Sequence, residues 1–272
     1  MRLPWRREPS SPIDLADIAG ATDAGPRPEN QDRWASGPGW AVVADGVGGH
    51  AGGETAAQTA LDVVVSHLAA GPPATPAAAE RVLREAAADA NAAVVDGRAA
   101  GAGVADMATT LTAAIAVPAR RRRRTGDRIG RASARSDHGF ERRWVVLQVG
   151  DSPAWLLGPA AARSITWDHN LVGDLVRAGA LAPEDAIGHR GRHVVTRALG
   201  TAATVEPELF AVDVGPGDAL VLATDGLSDV AGPEAAVAVC ARAADPGAAA
   251  HGLVALALGR GTMDNVTVVV VR

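Results

Sequence analysis

The apolar residues of this chain fall into two kinds of run. Short continuous runs, bounded by glycine, aspartate or proline, occupy 40–44, 111–117, 144–149, 219–223 and 266–271. Their length and their valine and leucine content predict strands buried on both faces. Longer alanine-rich stretches at 54–69, 76–95, 171–178, 233–243 and 248–258 carry helix formers at roughly helical spacing. Several open on proline or an acidic first turn, and they predict helices. These helices come in pairs between groups of strands, not one after each strand, which predicts mixed α and β structure in segregated layers rather than a doubly wound parallel sheet. No internal repeat is visible.

Two segments stand outside this pattern. At 119–143 an arginine run followed by glycine, serine and aspartate interrupts an apparent strand pair, and it reads as a basic hairpin-loop insertion that is either solvated or a dock for acidic partners. At 166–200 short helical pieces and three histidines predict a lid beside a site.

The chain has 272 residues, 47% of them hydrophobic, with a formal charge of -5. That fits one large domain over 1–272 with a substantial core. No apolar run reaches the length of a membrane span, and the basic first ten residues lack an apolar h-region. A cytoplasmic monomer is expected. The single cysteine, Cys240, excludes a disulfide framework and a cysteine-built zinc or iron–sulfur site, and its apolar surroundings read as core.

All 26 basic residues are arginines. Without lysine there is no Walker A loop, no kinase-type phosphate-pairing amine and no pyridoxal Schiff base. Phosphate, if handled, falls to arginine and metal ions. Ten arginines lie in 120–143 against Asp127, Asp137 and Glu141, so the rest of the chain is acidic. That body is nearly devoid of stacking aromatics, and no nucleic-acid partner is expected.

Aspartates recur where apolar strands end: Asp45-Gly46, Gly150-Asp151 and Asp225-Gly226, with Asp264-Asn265 preceding another strand. Any one of these reads as a turn. Together they would crowd negative charge if the strands share an edge, and a divalent cation is the usual remedy. Oxygen-only donors favour Mg²⁺ or Mn²⁺ over zinc or copper. Gly46 lets its own carbonyl approach a cation closely. Ser152 lacks a nucleophile elbow and reads as a turn hydroxyl. His50 is either a cleft residue or a surface cap, whereas His169, His189 and His193 read as lid structure.

These residues also form a collinear set: Thr22-Asp23-Ala24-Gly25, Arg27-Pro28-Glu29-Asn30-Gln31-Asp32, Ala44-Asp45-Gly46-Val47-Gly48-Gly49-His50, Met107-Ala108-Thr109-Thr110, Val149-Gly150-Asp151-Ser152, Asp168-His169-Asn170 with Thr196-Arg197-Ala198-Leu199-Gly200, Thr224-Asp225-Gly226-Leu227, and Asp264-Asn265-Val266-Thr267. In that order and over nearly the whole chain, the set resembles the type 2C, metal-dependent serine/threonine protein phosphatases of the bacterial kind.

The resemblance implies an α+β fold, a four-layer α-β-β-α sandwich of two mainly antiparallel sheets flanked by helix pairs. It implies hydrolysis of phosphoserine and phosphothreonine in proteins by a water or hydroxide bridging two Mn²⁺ or Mg²⁺ ions. Carried over by position, Asp45 bridges the ions, Gly46 offers its carbonyl, and Asp225 and Asp264 complete the first site. Asp151 with Asp225 matches a third, weaker site. Arg27 binds the substrate phosphate, Asp32 orients water, and 168–200 is a flap. Partners would be phosphorylated proteins, the substrates of a serine/threonine kinase. Departures from the pattern are Gln31 for glutamate, Val47 for histidine, Ala108 for glycine and Pro153 for arginine. The alternative is a catalytically silent phosphatase-like module that binds a phosphorylated or regulatory partner.

Overall fold

The structure is a computed structural model that describes residues 17–48, 51–100, 107–118, 142–159, 161–186 and 189–272. Elements are numbered in chain order. One sheet has the strand order β1 (Ile18–Asp23), β11 (Val266–Val271), β10 (Ala219–Ala223), β7 (Ala154–Leu157) and β8 (Ala162–Ser164). The other runs β2 (Asp32–Gly37), β3 (Trp40–Val47), β5 (Leu111–Val117), β6 (Arg142–Val149) and β9 (Glu208–Val214), with β4 (Ala108–Thr109) paired to the end of β3. Each of these pairings is antiparallel.

Three apolar layers explain the continuous runs. Trp40 and Val42 of β3 face one layer, while Ala41 and Val43 face another. A strand buried on both faces has no polar side to alternate with. The central layer joins the sheets through Val43, Trp144 and Val146 on one side and Leu220, Leu222 and Val269 on the other. α1 (Ala51–Leu68) and α2 (Pro76–Ala99) cover the outer face of the β2–β9 sheet. α5 (Pro233–Arg242) and α6 (Pro246–Gly259) cover the other. The result is the four-layer α+β sandwich.

Helix starts follow local chemistry. Thr75 accepts from Ala78 N at 3.2 Å and Pro76 opens α2, while Asp245 accepts from Ala248 N at 2.8 Å at the start of α6. Caps of this kind are each worth about 1 kcal/mol.

The strands that the apolar runs did not predict are β1, β2, β4, β7, β8 and β9. β2 is partly exposed throughout most of its length, β8 is largely exposed, and β4 and β7 are very short. The expected insertion at 119–143 loses its last two residues to β6, where Arg143 forks onto Asp213 at 2.7 Å and 2.7 Å. The remainder, 119–141, lies outside the described residues. Among the described residues, no helix is long and apolar enough to cross a membrane.

Candidate active site

Antiparallel register gathers the strand ends. Asp32, at the start of β2, stands opposite Asp45 near the end of β3. β10 runs out into Thr224 and Asp225, where α4 (Asp225–Ser228) begins, and Asp264-Asn265 leads into β11. β6 ends at Gly150-Asp151, with Gly150 at φ 103°, a conformation glycine takes at little cost. Thr224 Oγ donates to Asp32 Oδ2 at 2.8 Å and accepts from Thr267 N at 2.9 Å, tying the two sheets at this end.

Backbone positions are tightly held. Asp45 N donates to Thr110 Oγ at 3.0 Å, and Asp45 O accepts from Thr110 N and Thr109 Oγ, each at 2.9 Å. Asn265 Oδ1 accepts from Gln31 N at 2.8 Å, and its Nδ2 donates to Ala24 O and Glu29 O, each at 2.9 Å. Asn265 therefore sets the loop that carries Arg27. Gly46 has a packing reason to be glycine besides access to its carbonyl, since an added Cβ would overlap Gly53 O and crowd Gln31 O.

Charge is concentrated here with little relief. Asp45 and Asp225 are both held well above the usual carboxylate range, first by burial and then by neighbouring aspartates: Asp32, Asp225, Asp151 and Asp264 around Asp45, and Asp151, Asp229, Asp264 and Asp32 around Asp225. Burial, with Asp168 behind it, raises Asp151 to about 7. Burial raises Asp32 to about 6 although hydrogen bonds to Thr267 and Thr224 pull it down. Asp168 reaches about 6 by burial, against the pull of Arg192.

Among the described residues, ion pairs reach only the edges of the cluster. Arg27 Nη2 lies 2.8 Å from Asp264 Oδ2, and Arg192 and His193 lie 3.7 Å and 3.5 Å from Asp229. Asp32 is 3% exposed, yet among the described residues its Oδ1 has no hydrogen-bond partner, and neither does the buried Oδ1 of Asp225. Orphaned carboxylate oxygens among mutually repelling aspartates fit hard divalent cations such as Mg²⁺ or Mn²⁺.

The structure thus brings Arg27, Asp32, Asp45, Gly46, Asp151, Asp225 and Asp264 to one end of the sandwich. Arg27 is engaged there, its Nε donating to Met263 O at 2.8 Å in addition to the Asp264 contact. Sequence reasoning missed Asp229, one helical turn after Asp225. His193, Asp225 and Asp229 each offer a ligand atom within 4.8 Å of the others, which gives His193 a place beyond lid structure. The four-residue spacing of Asp225 and Asp229 was the available signal.

The lid expected at 166–200 borders this end. It contains α3 (Leu171–Arg177) and two short 3₁₀ turns; a bridge between Asn170 and Val195 closes it on itself, and one between Leu199 and Thr109 ties it to the body. His169 is buried; its Nδ1 accepts from Gly150 N at 3.1 Å, and burial, with Arg197 adding to it, lowers it to about 4. A neutral ring in this role braces the turn that carries Asp151. Asn170 Nδ2 donates to Asp151 Oδ2 at 3.4 Å. Val47 is exposed at the end of β3, whereas His50 lies outside the described residues.

Comparison with known proteins agrees with this geometry. The family model for protein phosphatase 2C matches residues 26–130. The serine/threonine protein phosphatase PstP of Mycobacterium tuberculosis (strain ATCC 25618 / H37Rv) is 33% identical over 244 residues, covering 90% of this chain. The chain spans 42% of the length of that relative. The crystal structure of the PPM Ser-Thr phosphatase MsPP from Mycobacterium smegmatis, in complex with cacodylate, is 33% identical with a TM-score of 0.74, covering 94% of this chain and 98% of MsPP. The catalytic domain of PstP in complex with two manganese ions is 30% identical with a TM-score of 0.75, covering 94% of this chain and 97% of that domain. With the sandwich, the clustered aspartates and these likenesses in agreement, the chain belongs to the PPM family of serine/threonine phosphatases, the protein phosphatase 2C type.

Proposed function

We propose that this chain hydrolyses phosphoserine and phosphothreonine esters in proteins, using two Mn²⁺ or Mg²⁺ ions held by Asp45, the Gly46 carbonyl, Asp225 and Asp264. Asp151 and Asp229, beside Asp225, would hold a weaker third ion. The observation that carries this reading is the pair of orphaned oxygens, Asp32 Oδ1 and Asp225 Oδ1, inside a ring of aspartates that raise one another's pKa. Phosphorylated proteins are the substrates, and the name of the M. tuberculosis relative, serine/threonine protein phosphatase PstP, supports that class.

Cations held there would supply Lewis acidity towards the phosphoryl oxygens and would lower the pKa of a water towards neutrality. The protein's own groups do the rest. Asp32, fixed by Thr224, keeps one acceptor oxygen free to orient a water and take up its proton. On exchanging its Asp264 contact, Arg27 would present a planar fork to a phosphate dianion, a geometry lysine cannot imitate. The test is turnover of a phosphothreonine peptide with Mn²⁺, alongside p-nitrophenyl phosphate. Activity that survives removal of divalent cations would contradict the reading, and tight phosphopeptide binding with no turnover would favour the silent module instead.

A further inference from the structure

Among the described residues, the large hydrophobic side chains left exposed are Val47, Trp167, Leu171, Val194, Leu258 and Met263. Five of them adjoin the acidic centre in sequence. Val47 follows Asp45-Gly46, Trp167 precedes Asp168, Leu171 follows Asn170, Val194 follows His193, and Met263 precedes Asp264. Leu258 alone lies elsewhere, on α6. The most exposed are Met263 at 74%, Trp167 at 55% and Val194 at 52%.

Hydrogen bonds tie Met263 to Arg27 and, within the lid, Leu171 to Val194. Met263 O accepts from Arg27 Nε at 2.8 Å, so Met263 sits beside the phosphate clamp. On the lid side, Leu171 N donates to Val194 O at 2.9 Å, and the Arg177 guanidinium lies 5.8 Å from the centroid of the Trp167 ring. The nearby carboxylate Asp229 is already paired with Arg192 and His193.

Exposed apolar surface gathered around a polar centre marks a contact surface. A phosphorylated serine or threonine carries its phosphorus on a short stem, Cβ and Oγ. A phosphate seated at Arg27 therefore lays the neighbouring residues of its own chain across this rim. Apolar neighbours find Met263 and Trp167 there, whereas acidic neighbours would give up water for apolar surface.

We propose that the rim sets substrate preference: the enzyme favours phosphorylated segments with apolar residues beside the phosphorylated one over segments with acidic residues there. This inference rests on the phosphatase reading above. The test compares kcat/KM in Mn²⁺ for two phosphothreonine peptides that differ only in leucine or glutamate at the flanking positions, with p-nitrophenyl phosphate as the non-peptide reference. The wild-type protein is expected to favour the leucine peptide by about tenfold or more, the range in which apolar pockets discriminate. In the double variant Trp167→Ser, Met263→Ser the ratio is expected to fall to within about twofold.

Equal rates, or preference for the glutamate peptide, in a wild-type protein that turns over p-nitrophenyl phosphate would overturn the inference and leave the phosphatase reading standing. A preference unchanged in the double variant would overturn the assignment to the rim. Absence of p-nitrophenyl phosphate turnover would remove the phosphatase reading and this inference with it.

Discussion

Arg27 Nη2 donates to Asp264 Oδ2 at 2.8 Å, so the proposed phosphate clamp and a proposed cation ligand hold each other. Both side chains are exposed. An exposed pair of this kind contributes about 0–1 kcal/mol, little enough for a cation on Asp264 and a phosphate on Arg27 to replace it.

Arg27→Ala is therefore expected to raise KM and to lower kcat/KM by about 10- to 100-fold, the equivalent of losing hydrogen bonds to a charged group. Arg27→Lys should recover only part of the loss, because an ammonium cannot fork onto two oxygens. Steady-state kinetics on a phosphothreonine peptide check both variants, and a fully active lysine variant would show that Arg27 acts as charge alone.

Thr224 serves Asp32 and the Thr267 amide at once. Thr224→Val keeps the shape and leaves both groups without their buried partner, which should cost about 1–3 kcal/mol of stability. Urea denaturation measures that cost. A valine variant as stable as the wild type would mean that water replaces the hydroxyl.

The pH dependence of the metal-free protein follows from the raised carboxyls. Asp32 at about 6, Asp151 at about 7 and Asp168 at about 6 compare with an ordinary value of 3.8. Between these limits the native state binds more protons than the unfolded chain, so stability falls as pH rises through the folded values. His169, lowered from 6.5 to about 4, acts in the opposite sense, outweighed by these three together with the raised Asp45 and Asp225. The melting temperature of chelator-treated protein should drop between about pH 5 and about pH 7.5, and Mn²⁺ should abolish the drop. A rising melting temperature without metal would contradict this.

Gly46→Ala tests the close approach of β3 to Gly53. The added methyl would meet the Gly53 and Gln31 carbonyls, which are backbone and cannot swing away. The expected result is weaker Mn²⁺ binding by calorimetry together with lower activity, and unchanged binding would show that the loop yields.

Much of the fold was legible because the buried strands are apolar on both faces, as at 111–117 and 266–271, and because Pro76 and Pro233 mark helix starts. β2 and β9 escaped because each mixes exposed and buried positions with charged residues such as Arg33 and Asp213. Their order comes from pairing with β3 and β6, a long-range relation that no local pattern encodes.

The site divides in the same way. Asp45, Asp151, Asp225 and Asp264 stood out as strand-end carboxylates. Asp229 did not, because on a short helix it reads as a solvated surface acid until the lid residues Arg192 and His193 are seen beside it. The role of Asn265 was hidden for a related reason: its partners Ala24, Glu29 and Gln31 lie more than two hundred residues away in sequence.

Asp45, buried among four other aspartates, is the centre of the proposed cation site. The decisive measurement is Mn²⁺-dependent turnover of a phosphothreonine peptide by wild-type protein and by Asp45→Asn, with Mn²⁺ binding followed calorimetrically in both. The account predicts metal-dependent turnover in the wild type, with both turnover and tight Mn²⁺ binding nearly abolished in the variant. Unchanged Mn²⁺-dependent turnover in Asp45→Asn would contradict it.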